Sequence, residues 1–181
     1  MLIFIRQFHI NRILERDKVY NARKLLGFSD EQMYDVVADI KHYKQFLPFC
    51  TRSTILDHNK TTNILHANLE IGFPPIIENY TSKVTLVRPR LVKAQCTDGR
   101  LFNYLETTWK FASGLKTVPN SCIIDFYIKF EFKSLLHSQI SIMFFERLVK
   151  QMETAFIEEA KRRYGGESIP SYPLDLEANQ G

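Results

Sequence analysis

A change of hydrophobic period near residue 134 limits this chain to very few architectures. Before it, apolar residues recur every second position. Ile124, Phe126, Ile128, Phe130 and Phe132 alternate with Asp125, Tyr127, Lys129, Glu131 and Lys133. The same beat runs through Leu65, Ala67, Leu69, Ile71 and Phe73, through Tyr80, Ser82, Val84 and Leu86, through Val92, Ala94 and Cys96, and through Leu105, Thr107, Trp109 and Phe111. Successive strand side chains point to opposite faces, so each run predicts a strand with one buried and one wet face. Asp98-Gly99 adds a hairpin signal. After Ser134 the spacing becomes helical. Ile140, Phe144, Phe145, Leu148, Val149, Met152, Phe156 and Ala160 form one stripe, with charged residues around the rest. Lys161, Arg162 and Arg163 suit a helix C-terminus, and Gly165-Gly166 ends it.

Upstream, Ser29 and Gln32 make a capping box ahead of Met33, Val36, Val37 and Ile40, an amphipathic helix. His42 to Leu47 reads as a second short helix stopped by Pro48. With Lys18–Leu26 and Thr51–Asp57 as further strands, the expectation is an α+β domain: seven antiparallel strands in meander spacing, two short helices between strands 1 and 2, and one long C-terminal helix. One sheet with one apolar face and one helix with one apolar stripe bury each other only if the sheet curls around the helix.

A sheet wrapped on a helix leaves its natural void between them. The candidate wall is Leu69, Ile71, Phe73, Tyr80, Val84, Phe102, Tyr104, Trp109, Phe111 and Phe126 from the sheet, with Phe144, Phe145, Leu148, Val149 and Met152 from the helix. The 13% aromatic content is compatible with a ring-lined cavity and equally with a ring-filled core.

The single domain is expected over residues 18–166, between a leader at 1–17 and an acidic, disordered tail at 167–181. The leader carries Arg6, His9 and Arg12, has no acid before Glu15 and is rich in Ile and Phe, the character of a mitochondrial targeting segment. The tail holds Glu167, Asp175 and Glu177 without Lys or Arg, so the rest of the chain is more basic than its net charge of +4. Three cysteines, Cys50, Cys96 and Cys122, in no C-x-x-C spacing argue for a reducing compartment. No run approaches the roughly 18 apolar residues of a spanning helix, so any membrane contact is expected to be peripheral.

Five blocks carry a resemblance: His42-Tyr-Lys-Gln-Phe-Leu-Pro-Phe-Cys50; Leu69-Glu-Ile-Gly-Phe73; Asp98-Gly-Arg-Leu-Phe102 with Trp109-Lys-Phe111; Asp125-Phe-Tyr-Ile-Lys-Phe-Glu-Phe132; and Met152, Ala155-Phe156 and Tyr164-Gly165 on the last helix. Together they resemble the coenzyme Q-binding START-domain family, a branch of the helix-grip superfamily of polyketide cyclases and lipid-transport proteins, from about Tyr20 to Gly165. Pro74-Pro75 looks like the mitochondrial members, as against bacterial relatives that include a ribosome association toxin. The resemblance implies a bound ubiquinone and no catalytic cofactor. It further implies a peripheral place on the matrix side of the inner mitochondrial membrane, and service as a quinone chaperone beside respiratory or quinone-synthesis complexes.

Residue chemistry adds limits of its own. The connection Phe73-Pro74-Pro75-Ile76-Ile77 is apolar where connections are ordinarily polar. It reads as a cavity rim that touches the membrane, or alternatively as a loop tucked onto the core. A quinone carbonyl only accepts hydrogen bonds, which makes Tyr80, Tyr104, Trp109 and Asn103 the donor candidates. No phosphate-cradling glycine cluster, G-x-S-x-G or metal-spaced His/Cys set occurs, so neither catalytic nor metal residues are assigned. A cyclase-type enzyme on the same fold and a ribosome-interacting protein are the competing readings. Nucleic-acid binding is not expected, because Lys83, Arg88, Arg90, Lys93 and Arg100 form only a loose basic cluster.

Overall fold

The structure, a computed structural model, describes residues 17–73, 76–100, 102–133 and 135–175. The expected leader lies outside them apart from Asp17, as do Pro74, Pro75 and residues 176–181; the side chains of Phe73, Ile76, Phe132, Phe144 and Phe145 are also outside what is described.

The elements run β1 (Asp17–Leu26), α1 (Asp30–Ala38), a 3₁₀ turn (Ile40–His42), α2 (Tyr43–Phe46), β2 (Cys50–Asn59), β3 (Ile64–Phe73), β4 (Ile76–Val87), β5 (Leu91–Gly99), β6 (Phe102–Ser113), β7 (Cys122–Phe132), α3 (Leu135–Tyr164) and β8 (Tyr172–Leu174). They form one antiparallel sheet in the order β2-β3-β4-β5-β6-β7-β1-β8, so the described strands number eight where seven are expected. The meander covers β2 to β7 only. β1 crosses to the far side and pairs with β7, Tyr20 opposite Ile128 and Leu26 opposite Cys122. β8 lies within the segment expected as a tail, pairing Leu174 with Arg23 and Tyr172 with Leu25. Alternation could not reveal it, since three residues with a central proline carry no period, and an edge strand tolerates Pro173. The Ser168 N–H donates to the Gly27 carbonyl at 2.9 Å, and a Cβ on Gly27 would overlap the Ile169 backbone, so this close approach requires glycine.

Local chemistry sets the helix ends. Gln32 N–H donates to Ser29 Oγ at 3.2 Å while Ser29 N–H donates to Gln32 Oε1 at 3.0 Å, closing the capping box. The second helix is one short turn, ending before Pro48. α3 is 30 residues long, about 45 Å at helical rise, and stops at Gly165 with φ +88°.

The inner face follows the alternation: Leu65, Ala67, Val84, Val92, Trp109, Ile124, Phe126, Ile128 and Phe130 are buried. Irregular pairing between Thr81 and Ser82 and between Phe102 and Tyr104 marks bulges that bend the sheet. α1 closes one end of the resulting trough, packing Met33, Val36 and Val37 at full burial among Leu26, Phe28 and Cys122. Arg88 bridges Glu31 and Asp35, and Arg90 reaches Asp30, tying the β4–β5 turn to α1.

Candidate functional site

At the end of the trough away from α1, the sheet and α3 stand apart around a cavity of about 500 Å³. Ten expected wall residues line it: Leu69, Ile71, Tyr80, Val84, Phe102, Trp109 and Phe126 from the sheet, Leu148, Val149 and Met152 from α3. Two do not. Tyr104 is 38% exposed on the outer face, with Lys129 Nζ 5.7 Å from its ring centre. Tyr104 is outward because it adjoins inward Leu105 in regular alternation, and the bulge before it lets Phe102 also face inside, three residues from Leu105. Phe111 is buried below the cavity, edge-on to Tyr34 of α1 at 6.0 Å. Phe73, Phe144 and Phe145 lie outside the described side chains, and so do the expected rim residues Pro74, Pro75 and Ile76; Ile77 is 74% exposed.

Further wall residues were not among the expected ones. Val92, Ala94, Leu105, Thr107, Ile128 and Phe130 stand on the inward beat of their strands, so the alternation itself points to them. Ile40, Tyr43, Leu47, Pro48, Phe49 and Cys50 come from the turn between α1 and β2. Their only signal in the sequence is the His42–Cys50 block, which says nothing about the direction in which the block faces.

Aromatic contacts stiffen the floor. Trp109 stacks on Phe126 with ring centres 4.2 Å apart, and Phe156 meets Trp109, Tyr43 and Phe46 edge-on at 4.9, 5.4 and 5.5 Å. Apart from Arg147 at the mouth, polar groups in the wall are few and neutral. Tyr43 donates its hydroxyl to the Val37 carbonyl. Among the described residues the hydroxyls of Tyr80, Ser82 and Thr107 have no hydrogen-bond partner. Burial raises the Tyr80 and Tyr43 phenols well above their ordinary range and pushes the Cys50 thiol up to about 11. These groups therefore stay protonated, as donors. Of the other donor candidates, Asn103 donates to Glu131 Oε1 at 3.0 Å and is exposed, while Trp109 remains in the wall.

Charge is kept to the edges. Glu153, next to Met152, is 2% exposed and points away toward β1, where Tyr20 Oη and Lys24 Nζ donate to Oε2 at 2.9 and 3.1 Å. Arg147 stands where the cavity meets the surface. Lys150 lines the outer groove beside Arg147, whereas Lys83 is exposed on the outer beat of β4. No helix of the described residues is long and apolar enough to cross a membrane.

A curved antiparallel sheet closed on a long helix around an apolar, uncharged hollow defines a helix-grip protein with a lipid-sized cavity. Residues 26–157 match the family described as polyketide cyclase / dehydrase and lipid transport. The coenzyme Q-binding protein COQ10, mitochondrial, of Drosophila melanogaster is 48% identical over 91% of this chain and 67% of its own length. The coenzyme Q-binding protein COQ10 homolog B, mitochondrial, of Xenopus laevis is 49% identical over 83% of this chain; the chain spans 61% of that relative. In fold, the Zhui aromatase/cyclase from a Streptomyces species superposes with a TM-score of 0.69 at 14% identity, over 81% of this chain and 95% of the other. The chain belongs to the polyketide cyclase and lipid-transport family, within its coenzyme Q-binding START branch.

Proposed function

We propose that this chain binds ubiquinone without catalysing a reaction on it, holding the quinone ring and the first part of the isoprenoid tail between the sheet and α3. The observation that carries the reading is the cavity: about 500 Å³ of apolar wall with unpartnered neutral hydroxyls at Tyr80, Ser82 and Thr107. A quinone carbonyl only accepts hydrogen bonds, so a wall of protonated donors suits it and a wall of carboxylates would not. The tail gains about 25 cal/mol for each Å² withdrawn from water, enough for useful affinity over a few isoprene units. Relatives at nearly half identity are named coenzyme Q-binding and mitochondrial, which supports the same ligand and compartment for this chain. In that setting it serves as a quinone chaperone at the matrix face of the inner membrane, delivering to respiratory and quinone-synthesis complexes. The bound quinone is cargo, and no catalytic cofactor is assigned.

The cyclase reading asks for titratable groups aimed at a substrate. The described wall holds no carboxylate and no histidine, and its phenols and thiol are held protonated: Glu153 is turned toward β1 and Arg147 sits at the edge. Organic extraction of the purified chain followed by mass spectrometry tests the proposal, with a prenylated quinone as the expected product. Phospholipid alone, or nothing, in repeated preparations overturns it. Tyr80→Phe should retain the fold and lower quinone affinity about fivefold, the worth of one hydrogen bond near 1 kcal/mol. Unchanged affinity would remove Tyr80 from the site.

A further inference from the structure

Pro48, Phe49, Arg147 and Gln151 line the cavity and also a shallower groove on the outside, completed by Lys150, Thr154 and Ala155. The cavity therefore reaches the surface between the Leu47–Cys50 turn and the middle of α3. Arg147 and Lys150 are three residues apart, on one side of the helix, and both are exposed. Neither has an acidic partner among the described residues. Elsewhere Arg88, Arg90, Arg162 and Arg163 are each tied to carboxylates.

Beside these cations lies exposed apolar surface. Phe49 is 39% exposed and sits at φ +66°, a conformation bulky L residues rarely adopt. Its carbonyl accepts from the Gly72 N–H at 2.8 Å, and Gly72 is paired with Ile77, 74% exposed, on β4. That bond fixes the Phe49 backbone at the groove it shares with Arg147 and Lys150, while Ile77 shares the outer face of the sheet with Gly72. An exposed ring beside basic groups that have no acidic partner among the described residues matches the layered chemistry of a bilayer surface, phosphates outside and hydrocarbon below. A cavity with an insoluble cargo needs its mouth on an apolar phase.

We propose that this rim docks on an anionic phospholipid surface, with Arg147 and Lys150 on lipid phosphates and Phe49 entering the interfacial layer, so that cargo passes between cavity and bilayer along the Gln151–Ala155 groove. The proposal rests on the prenyl-lipid reading of the cavity for its purpose, but its test is independent of the cargo.

The experiment is flotation of the purified chain with vesicles of phosphatidylcholine alone and of phosphatidylcholine mixed with phosphatidylglycerol, at low and high salt. The chain should prefer the anionic vesicles and lose that preference as salt rises. Arg147→Gln with Lys150→Gln should lower partitioning about thirtyfold, at roughly fivefold per basic residue near an anionic leaflet. Lys60→Gln with Lys116→Gln, the same charge change on turns at the opposite end of the sheet, should leave it unaltered. Phe49→Asn keeps a residue that accepts the left-handed backbone and should lower partitioning about tenfold through the lost apolar area. Equal partitioning of the Arg147/Lys150 variant and the natural chain overturns the proposal, and so does an equal loss in the Lys60/Lys116 variant. Self-association through the groove, seen by sedimentation and abolished by Phe49→Asn, would assign the rim to a second copy and also overturn it. Quinone content of the same preparations in detergent separates the two readings. A quinone-free chain whose flotation still depends on Arg147 and Lys150 retains the docking surface and loses the ligand; a quinone-loaded chain that is indifferent to them does the reverse.

Discussion

The same sheet and the same helix are used in two ways at the two ends of the trough. At the α1 end, Phe28, Met33, Val36, Val37, Ile124 and Ala160 are fully or nearly fully buried and the space is filled. At the other end, Leu69, Ile71, Leu105, Leu148 and Met152 carry equally apolar side chains yet stay half-buried around a hollow. Side-chain chemistry does not separate them. The difference is a plug: α1 lies across one end and packs against α3, anchored there by Arg163, which bonds both Asp39 and the buried Glu159. Among the described residues the far end has no helix across it, only the short Leu47–Cys50 turn. Close packing is concentrated in one half, and the other stays open around the cavity.

The strongest way to break this contrast is to hollow the filled end. Phe28→Ala, at a site with no exposure, should cost about 3–5 kcal/mol in urea unfolding, with quinone lost only together with the fold. A cost under about 1 kcal/mol would mean that the α1 end is not close-packed. Met152→Lys tests the hollow end. There the long side chain can run along the wall and carry its ammonium to the mouth, so it should cost no more than about 2 kcal/mol while reducing quinone content at least tenfold. Unfolding as severe as that of Phe28→Ala would show the two ends to be alike.

The smallest effect is electrostatic and belongs to the filled end. Hydrogen bonds from Arg162 and then Arg163 hold the Glu159 carboxyl down at about 2, against an ordinary value of 4.5. With the folded value below the unfolded one, the stabilisation is whole above pH 4.5 and disappears as pH falls through 2. The stability difference between the natural chain and Glu159→Gln should therefore shrink across that window, with quinone binding at neutral pH the same in both. A difference that stays constant with pH would place the anchor elsewhere.

Several features were legible because they are local. The inward beat of Ile124, Phe126, Ile128 and Phe130 names the buried face of β7 without reference to any other strand, and the Ser29–Gln32 box names the start of α1. The Leu148–Val149–Met152 stripe likewise places one side of α3 against the cavity. The inward beat of Leu105, Thr107 and Trp109 already sets Tyr104 on the outer face; what no residue type announces is the bulge between Phe102 and Tyr104, which brings Phe102 inside off that beat. β8 was too short to show a period.

The sequence alone settles what each segment is and which face it buries, since dihedral preference and side-chain spacing act over a few residues. Tertiary structure decides which buried residues fill space and which line a hollow. Phe111 and Trp109, two residues apart on one face, go respectively to the core beneath α1 and to the wall of the cavity. That outcome depends on how far apart α1, the sheet and α3 come to rest, distances set by contacts between segments far apart in the chain, such as the Arg163 bond to Asp39.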